Sequence, residues 1–304
     1  MASIDGSPGR RLAVLDAPSN LGLRPPSAGT VPGCYKLAGA VRDQGLVGRI
    51  NAEDAGYLTP PRYDRGAWQP GDGVFHAAAI AAYSTRLADR LSALFDRDRF
   101  PVVLGGECSN LLGPALALRR RGRYGVAYLD GHSDFRHPGN SRSVGAAGGE
   151  ALALVTGRGQ ADLSGLEALK PYVRDPDAVL LGIREDDEHA AEARAAGLPV
   201  WAAREIVLDP ATVAQAVLSH LGRDELDGFW VHLDVDILDA SVMPAVDSPE
   251  PGGLDHPQLR ALLTPLLAAP RCVGLDVGIF DPDLDPDAHL AAELTDTLVA
   301  ALTG

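Results

Sequence analysis

The chain has 304 residues, 46% of them apolar and 22% charged, enough to build a large core and too apolar for a disordered chain. Its 27 Lys+Arg against 41 Asp+Glu leave a formal charge of −14, which argues against nucleic acid or an anionic membrane surface as a generic partner. No apolar run approaches the roughly 18 residues of a membrane-spanning helix. Residues 1–10 are polar, lack an apolar signal core and read as a short loose tail. Three cysteines, Cys34, Cys108 and Cys272, form no CxxC pair, which points to a reducing, cytoplasmic setting and away from a disulfide framework.

Apolar runs and helical patterns then alternate along the chain. Residues 12–15 read as a strand and 75–95 as an amphipathic helix; 102–104 follow as a strand and 109–120 as a helix. Strands are expected at 126–129 and 179–183, a helix at 211–221, a strand at 229–235, a helix at 257–267, a strand at 273–277 and a closing helix at 288–302. The strand runs are continuously apolar, as expected where both faces of a sheet are covered. Gly and Pro gather in loops at 24–33, 59–73 and 244–253. Alternation of this kind predicts a three-layer α/β/α sandwich with a mostly parallel central sheet. With no repeat or linker, residues 1–304 read as one domain.

Four of these strands run into unusual sequences. The apolar run 102–104 leads into Gly105-Gly106-Glu107-Cys108-Ser109, and 126–129 leads into Asp130-Gly131-His132-Ser133-Asp134. The 229–231 segment runs into His232-Leu233-Asp234-Val235-Asp236, and 273–277 runs toward Phe280-Asp281-Pro282-Asp283. In an open parallel sheet, ligands bind beyond the carboxyl ends of the strands, so these tips would converge on one crevice. A spacing of two puts Asp130, His132 and Asp134 on one side of an extended segment, and likewise Asp234 and Asp236. Four carboxylates and an imidazole in one crevice repel unless a cation neutralises them. Oxygen-rich ligation with one imidazole suits Mn²⁺ or a similar divalent ion, and two such ions can generate hydroxide from water near neutral pH. A lone DxD is common in solvated loops; the combination of both motifs in an alternating chain is not.

These segments resemble the ureohydrolases, the family of arginase, agmatinase and formimidoylglutamase, whose marks are GGDHS, DAHxD and SxDxDxxDP in this order. Here they stand as GGECS at 105–109, DGHSD at 130–134 and HLDVDILDA at 232–240. Pro244, Ser248-Pro249 and Gly252-Gly253 resemble the family's Pro/Gly loop, and 18–37 its N-terminal loop, so the likeness spans nearly the whole chain. The resemblance implies an arginase-like fold, a homo-oligomer and a manganese-dependent hydrolase. Its substrate would be a small guanidino, hydroxyguanidino or related amidine compound, cleaved at a C–N bond. Asp130, Asp134 and Asp234 would bridge two Mn²⁺ ions, His132 and Asp236 would complete one site (B), and Asp134 would also hold the hydroxide.

Three positions depart from that pattern. Cys108 stands at the GGDHS histidine, so it is either a thiol ligand of the other site (A) or a small buried residue, and site A is expected to be weakly occupied. Ile279 stands where arginases and agmatinases carry the glutamate that pairs with guanidinium. Loss of a buried charge partner costs roughly 3–5 kcal/mol, so another acid (Asp281, Asp283 or Glu150) serves that role or the substrate is not a simple guanidine. No histidine occurs at 138–160, where arginases keep a proton shuttle. His137, His256 and Glu150 are the alternatives, with Glu150 expected to accept the amine's proton. Arg136 and Asn140 are expected to contact substrate, and Asp187, in an Arg184–Asp187 segment resembling arginase RDVD, to hold an amino group. A degenerate relative that binds ligand, or pairs with an active subunit, without turnover is the alternative.

Overall fold

The computed structural model describes residues 10–304. Eight strands build one sheet: β1 (Leu12–Asp16), β2 (Glu53–Tyr57), β3 (Phe100–Leu104), β4 (Tyr124–Leu129), β5 (Ala178–Ile183), β6 (Val200–Ala202), β7 (Gly228–Asp234) and β8 (Cys272–Gly278). Their order is β2-β1-β3-β8-β7-β4-β5-β6, and every neighbouring pair is parallel. The three-layer α/β/α sandwich read from the alternation is therefore the architecture found.

Period two in the strands makes the layers. Ala13, Leu15, Val103, Val126, Tyr128 and Trp230 point to one face, where they meet the helices Ala77–Phe95, Leu112–Arg119 and Ala151–Val155. Their immediate neighbours Val14, Val102, Leu104, Ala127, Leu129, Val231 and Leu233 point to the other face. There they pack on the helices Leu37–Asp43, Pro210–Leu221, His256–Ala268 and His289–Thr303. Helix starts are fixed by local chemistry. Asp255 accepts from Gln258 N at 2.8 Å while Gln258 Oε1 accepts from Asp255 N at 2.9 Å, a reciprocal cap with Pro257 in the first turn.

Some boundaries differ from the sequence reading. β2 and β6 lie at the two sheet edges; β2 reads Glu-Asp-Ala-Gly-Tyr with no residue fully buried, and β6 has three residues. β2 carries no continuous apolar run, and the apolar run of β6 spans only Val200–Ala202. The helix expected over 109–120 begins as a 3-10 turn, Cys108–Leu111, before Leu112–Arg119. Of the tail, residues 1–9 lie outside the described residues, whereas Arg10 is tied down: its guanidinium donates to the carbonyls of Leu267 and Ala269 and lies 4.9 Å from the Phe100 ring centroid. Among the described residues no helix is long and apolar enough to cross a membrane.

Candidate metal centre and active-site cavity

The four central strands, β3, β8, β7 and β4, end side by side, and their carboxyl-terminal loops close one site. After β3 the chain turns through Gly105 and Gly106, both at positive φ. A Cβ on Gly106 would sit 2.9 Å from Ala17 O, so only glycine allows this approach. The turn delivers Glu107, whose buried carboxylate accepts from Ser109 N (2.9 Å), Ser109 Oγ (2.6 Å) and Gly22 N (3.1 Å). Glu107 thereby caps the following 3-10 turn and pins the N-terminal loop, leaving Cys108 aimed at the site. Cys108 Sγ donates to Asp234 Oδ2 at 3.0 Å across the sheet.

After β4, Asp130 Oδ1 accepts from His132 N (2.6 Å), and Tyr128 Oη donates to Asp134 Oδ2 (2.5 Å). After β7, Asp234 Oδ1 accepts from Asp236 N (2.8 Å), and Asp236 accepts from Gly131 N (2.9 Å) while its Oδ2 meets His132 Nδ1 (2.8 Å). Asp130, His132 and Asp236 each place a ligand atom within 4.8 Å of the others. The structure thus brings Cys108, His132, Asp134, Asp234 and Asp236 into one crevice, with buried Asp130 beside Cys108, His132 and Asp236.

Burial sets the electrostatics. It pushes Asp130 and Asp234 well above the usual carboxylate range, helped by the neighbouring acids, and pushes the Cys108 thiol up in the same way. Asp134 rises to about 6, mainly from burial, against the hydrogen bond from Tyr128. Burial opposes charge on His132 too, but the contact with Asp236 and the surrounding acids outweigh it and lift His132 to about 10. Asp236 is lowered although burial raises it, because His132 and the Gly131 N–H hold its charge. Without a cation, then, the cluster keeps protons that its geometry does not otherwise need. Asp130 Oδ2 is buried with no hydrogen-bond partner. An orphan carboxylate oxygen among several acids is the donor set of a divalent cation, and the residues fit one.

The crevice opens into a cavity of about 770 Å³. Arg136, Asp187 and Asp281 line it, as do Cys108, His132, Asp134, Asp234, Asp236 and Ile279. Asp187 is held by Ser133 N (2.8 Å) and His189 N (2.9 Å), and Asp281 by Gly33 N (2.9 Å). Glu150 and Asn140 are not among the lining residues. Buried Glu150 accepts from Gly145 N at 2.6 Å, and the Asn140 amide donates to Phe135 O (2.9 Å) and Glu192 (2.7 Å), so both brace loops. His137 pairs with Glu192 at 2.9 Å and His256 with Thr297 at 2.9 Å; neither reaches the cavity. Arg184 is buried and donates to the carbonyls of Gly182, Asp236, Leu238 and Glu250, clamping the loop after β7 instead of forming a surface ion pair.

Arg24, His189, Asp247 and Glu250 also line the cavity and were not expected at the site from the sequence. Glu250 Oε1 lies 3.7 Å from His132 Nε2. Asp247 is open to solvent yet enclosed by the concave wall, and that enclosure, with the charges of Asp236 and Asp134, pushes it up to about 7. All four sit in loops whose approach depends on the fold, and no local pattern marks them.

Ile279 has φ +75° and is 2% exposed. Phe280 N donates to Gly278 O at 3.0 Å around it, while Ile279 N donates to Gly106 O at 2.8 Å. This is a γ-turn on a β-branched residue, a conformation that costs on the order of 1–3 kcal/mol and persists only where the surroundings enforce it. It holds an aliphatic side chain against the cavity.

The arginase family model matches residues 34–303. The chain belongs to the arginase family. It is therefore a hydrolase of non-peptide C–N bonds in linear amidines. It is 30% identical over 280 residues to the formimidoylglutamase of Aeromonas hydrophila, covering 86% of this chain and 83% of that one. It is 26% identical over 296 residues to the arginase of Bacillus caldovelox, covering 96% of this chain and 98% of that one. The solved structure of the Bacillus caldovelox arginase superposes with a TM-score of 0.87 at 25% identity, over 97% of this chain and 99% of that chain.

Proposed function

We infer that this arginase-family chain is a manganese-dependent hydrolase of a small guanidino, hydroxyguanidino or related amidine that is less basic than a simple guanidine. The observation that carries this reading is the convergence of His132, Asp134, Asp234 and Asp236 at the cavity wall, with Asp130 buried within ligand distance of His132 and Asp236. Those five side chains, with Cys108, would hold one or two Mn²⁺ ions, oxygen donors with one imidazole being the preference of that metal. Bound there, the metal would lower the pKa of water toward neutrality and so supply the nucleophile.

The chain's own groups do the rest. Asp134, held by Tyr128 Oη and raised to about 6, is matched to take a proton from the attacking water and return it to the departing amine. The amidine carbon gains an oxygen, becomes tetrahedral and collapses with loss of the amine. Arg136 and Arg24 at the wall suit a substrate carboxylate, since a guanidinium binds one in a two-pronged contact. Asp187 suits an amino group, and Asp281 is a further acceptor at the wall. Ile279 offers no counter-charge, so the reacting group is a weaker base than guanidinium. The three cysteines are free and buried, in keeping with a cytoplasmic setting.

A homologue without turnover is the weaker reading, because it leaves a costly cluster of buried acids with nothing to neutralise it. Metal-loaded protein offered guanidines, hydroxyguanidines and formamidines, with amine, ammonia and urea release quantified, tests the proposal. Release from at least one compound is expected; release from none, with manganese bound, contradicts it.

A further inference from the structure

Directly beneath the acidic cluster lies a histidine that none of these contacts uses. His232 is on β7, fully buried, in register with Tyr128 on β4 and Asp276 on β8. Its Nδ1 meets Asp276 Oδ2 at 2.6 Å, and its ring stacks on Tyr128 with centroids 4.5 Å apart at 23°. Asp276 also accepts from Trp230 Nε1, so its position is fixed from two sides. The Nε2 of His232, by contrast, is buried with no partner, as is Asp130 Oδ2. Cys108, Asp130 and a ring nitrogen of His232 each place a ligand atom within 4.8 Å of the others.

We propose that His232 Nε2 is a metal ligand, completing with Cys108 and Asp130 the site that the substituted GGECS motif leaves short of an imidazole. The proposal rests on the metallohydrolase reading above. The bond to Asp276 places the proton on Nδ1 and turns the Nε2 lone pair outward, the arrangement in which a carboxylate orients a ligating imidazole. A buried imidazole nitrogen without a partner is costly, and a cation at the junction of these three groups satisfies it together with the orphan oxygen of Asp130. The motifs quoted above carry histidine where Cys108 stands and serine where His232 stands. In this chain the small side chain and the imidazole have exchanged strands while facing the same point.

Cobalt(II) titration of the metal-stripped full chain, followed by paramagnetic proton NMR, tests this. Two hyperfine-shifted imidazole N–H resonances are expected in the unaltered protein, from His132 and His232. The second should exchange slowly in D₂O because it is buried on Asp276. His232→Ala should lose that resonance and weaken one metal equivalent by tenfold or more, leaving the other unchanged. Asp276→Asn should weaken the same equivalent by about 10–100-fold, the usual effect of removing an orienting partner. A single shifted imidazole in fully loaded unaltered protein overturns the proposal whether or not either variant folds, and so does identical stoichiometry and affinity in His232→Ala. Both results leave the metallohydrolase reading standing. No metal binding at all overturns both.

Discussion

Cys108 Sγ and Asp234 Oδ2 lie 3.0 Å apart, joining the tip of β3 to the tip of β7 across the strand between them. The thiol keeps its proton there because burial and three nearby aspartates oppose a thiolate. A divalent cation reverses that balance, since a coordinating thiol gives up its proton. Cobalt-loaded protein should therefore show a thiolate-to-metal charge-transfer band in the near ultraviolet, and Cys108→Ser should abolish it. A band that survives the substitution places Cys108 away from the metal.

Asp234→Asn keeps the shape of a side chain that meets both Cys108 and the Asp236 backbone N–H but removes a charge from the cluster. Manganese affinity should fall by at least tenfold, on the order of 1.4 kcal/mol or more, in calorimetric titration. Unchanged affinity would remove Asp234 from the ligand set.

Metal affinity should also depend on pH, with a definite sign. Asp134 at about 6 and His132 at about 10 hold protons that the metal must displace, and Asp130 and Asp234 are raised as well. Binding therefore releases protons, and apparent affinity should weaken as pH falls through 6. Calorimetry in buffers of different ionisation enthalpy measures the release directly; affinity independent of pH between 5 and 8 contradicts this electrostatic picture.

Much of the layered fold was legible because the six inner strands are predominantly apolar, from 12–15 in β1 to 273–277 in β8, which Asp276 alone interrupts with a charge. The edge strands were not: β2 opens with two adjacent acids, Glu53 and Asp54, and exposes Tyr57, and β6 is too short to carry a pattern. The acids of the site were legible for the same reason as the strands, standing where an apolar run stops. His232 carried no such mark. It sits inside a strand, and its meaning comes from the register with Tyr128 and Asp276, which only pairing sets. Glu150, expected at the site from its place beside Gly149 at a helix start, accepts from Gly145 N, and Asn140 donates to Glu192, contacts that no local pattern announces.

Glu107 links the site's scaffold to its mouth, since it bonds Gly22 N in the loop that carries Leu23 and Arg24 to the cavity wall. Glu107→Ala removes the acceptor for Ser109 N, Ser109 Oγ and Gly22 N. Loss of about 2–4 kcal/mol of stability is expected from leaving buried donors unpaired, together with a raised KM as the loop loosens. A variant as stable as the unaltered chain would show that the loop is held elsewhere.

In the proposed function, Ile279 disfavours a strongly basic reacting group. The γ-turn already disfavours a β-branched residue, so Ile279→Glu adds no backbone strain and places a carboxylate at the wall. The ratio of kcat/KM for guanidines over less basic amidines should rise at least tenfold, and a ratio that stays constant would place recognition of the reacting group elsewhere.

The decisive measurement is the manganese dependence of amine release by metal-stripped protein acting on a panel of hydroxyguanidines and formamidines. No release is expected before manganese is added, saturable release after it, and none at any concentration from Asp134→Asn. Release that persists in the stripped chain, or that Asp134→Asn leaves intact, would contradict a metal-activated hydrolysis at this cluster.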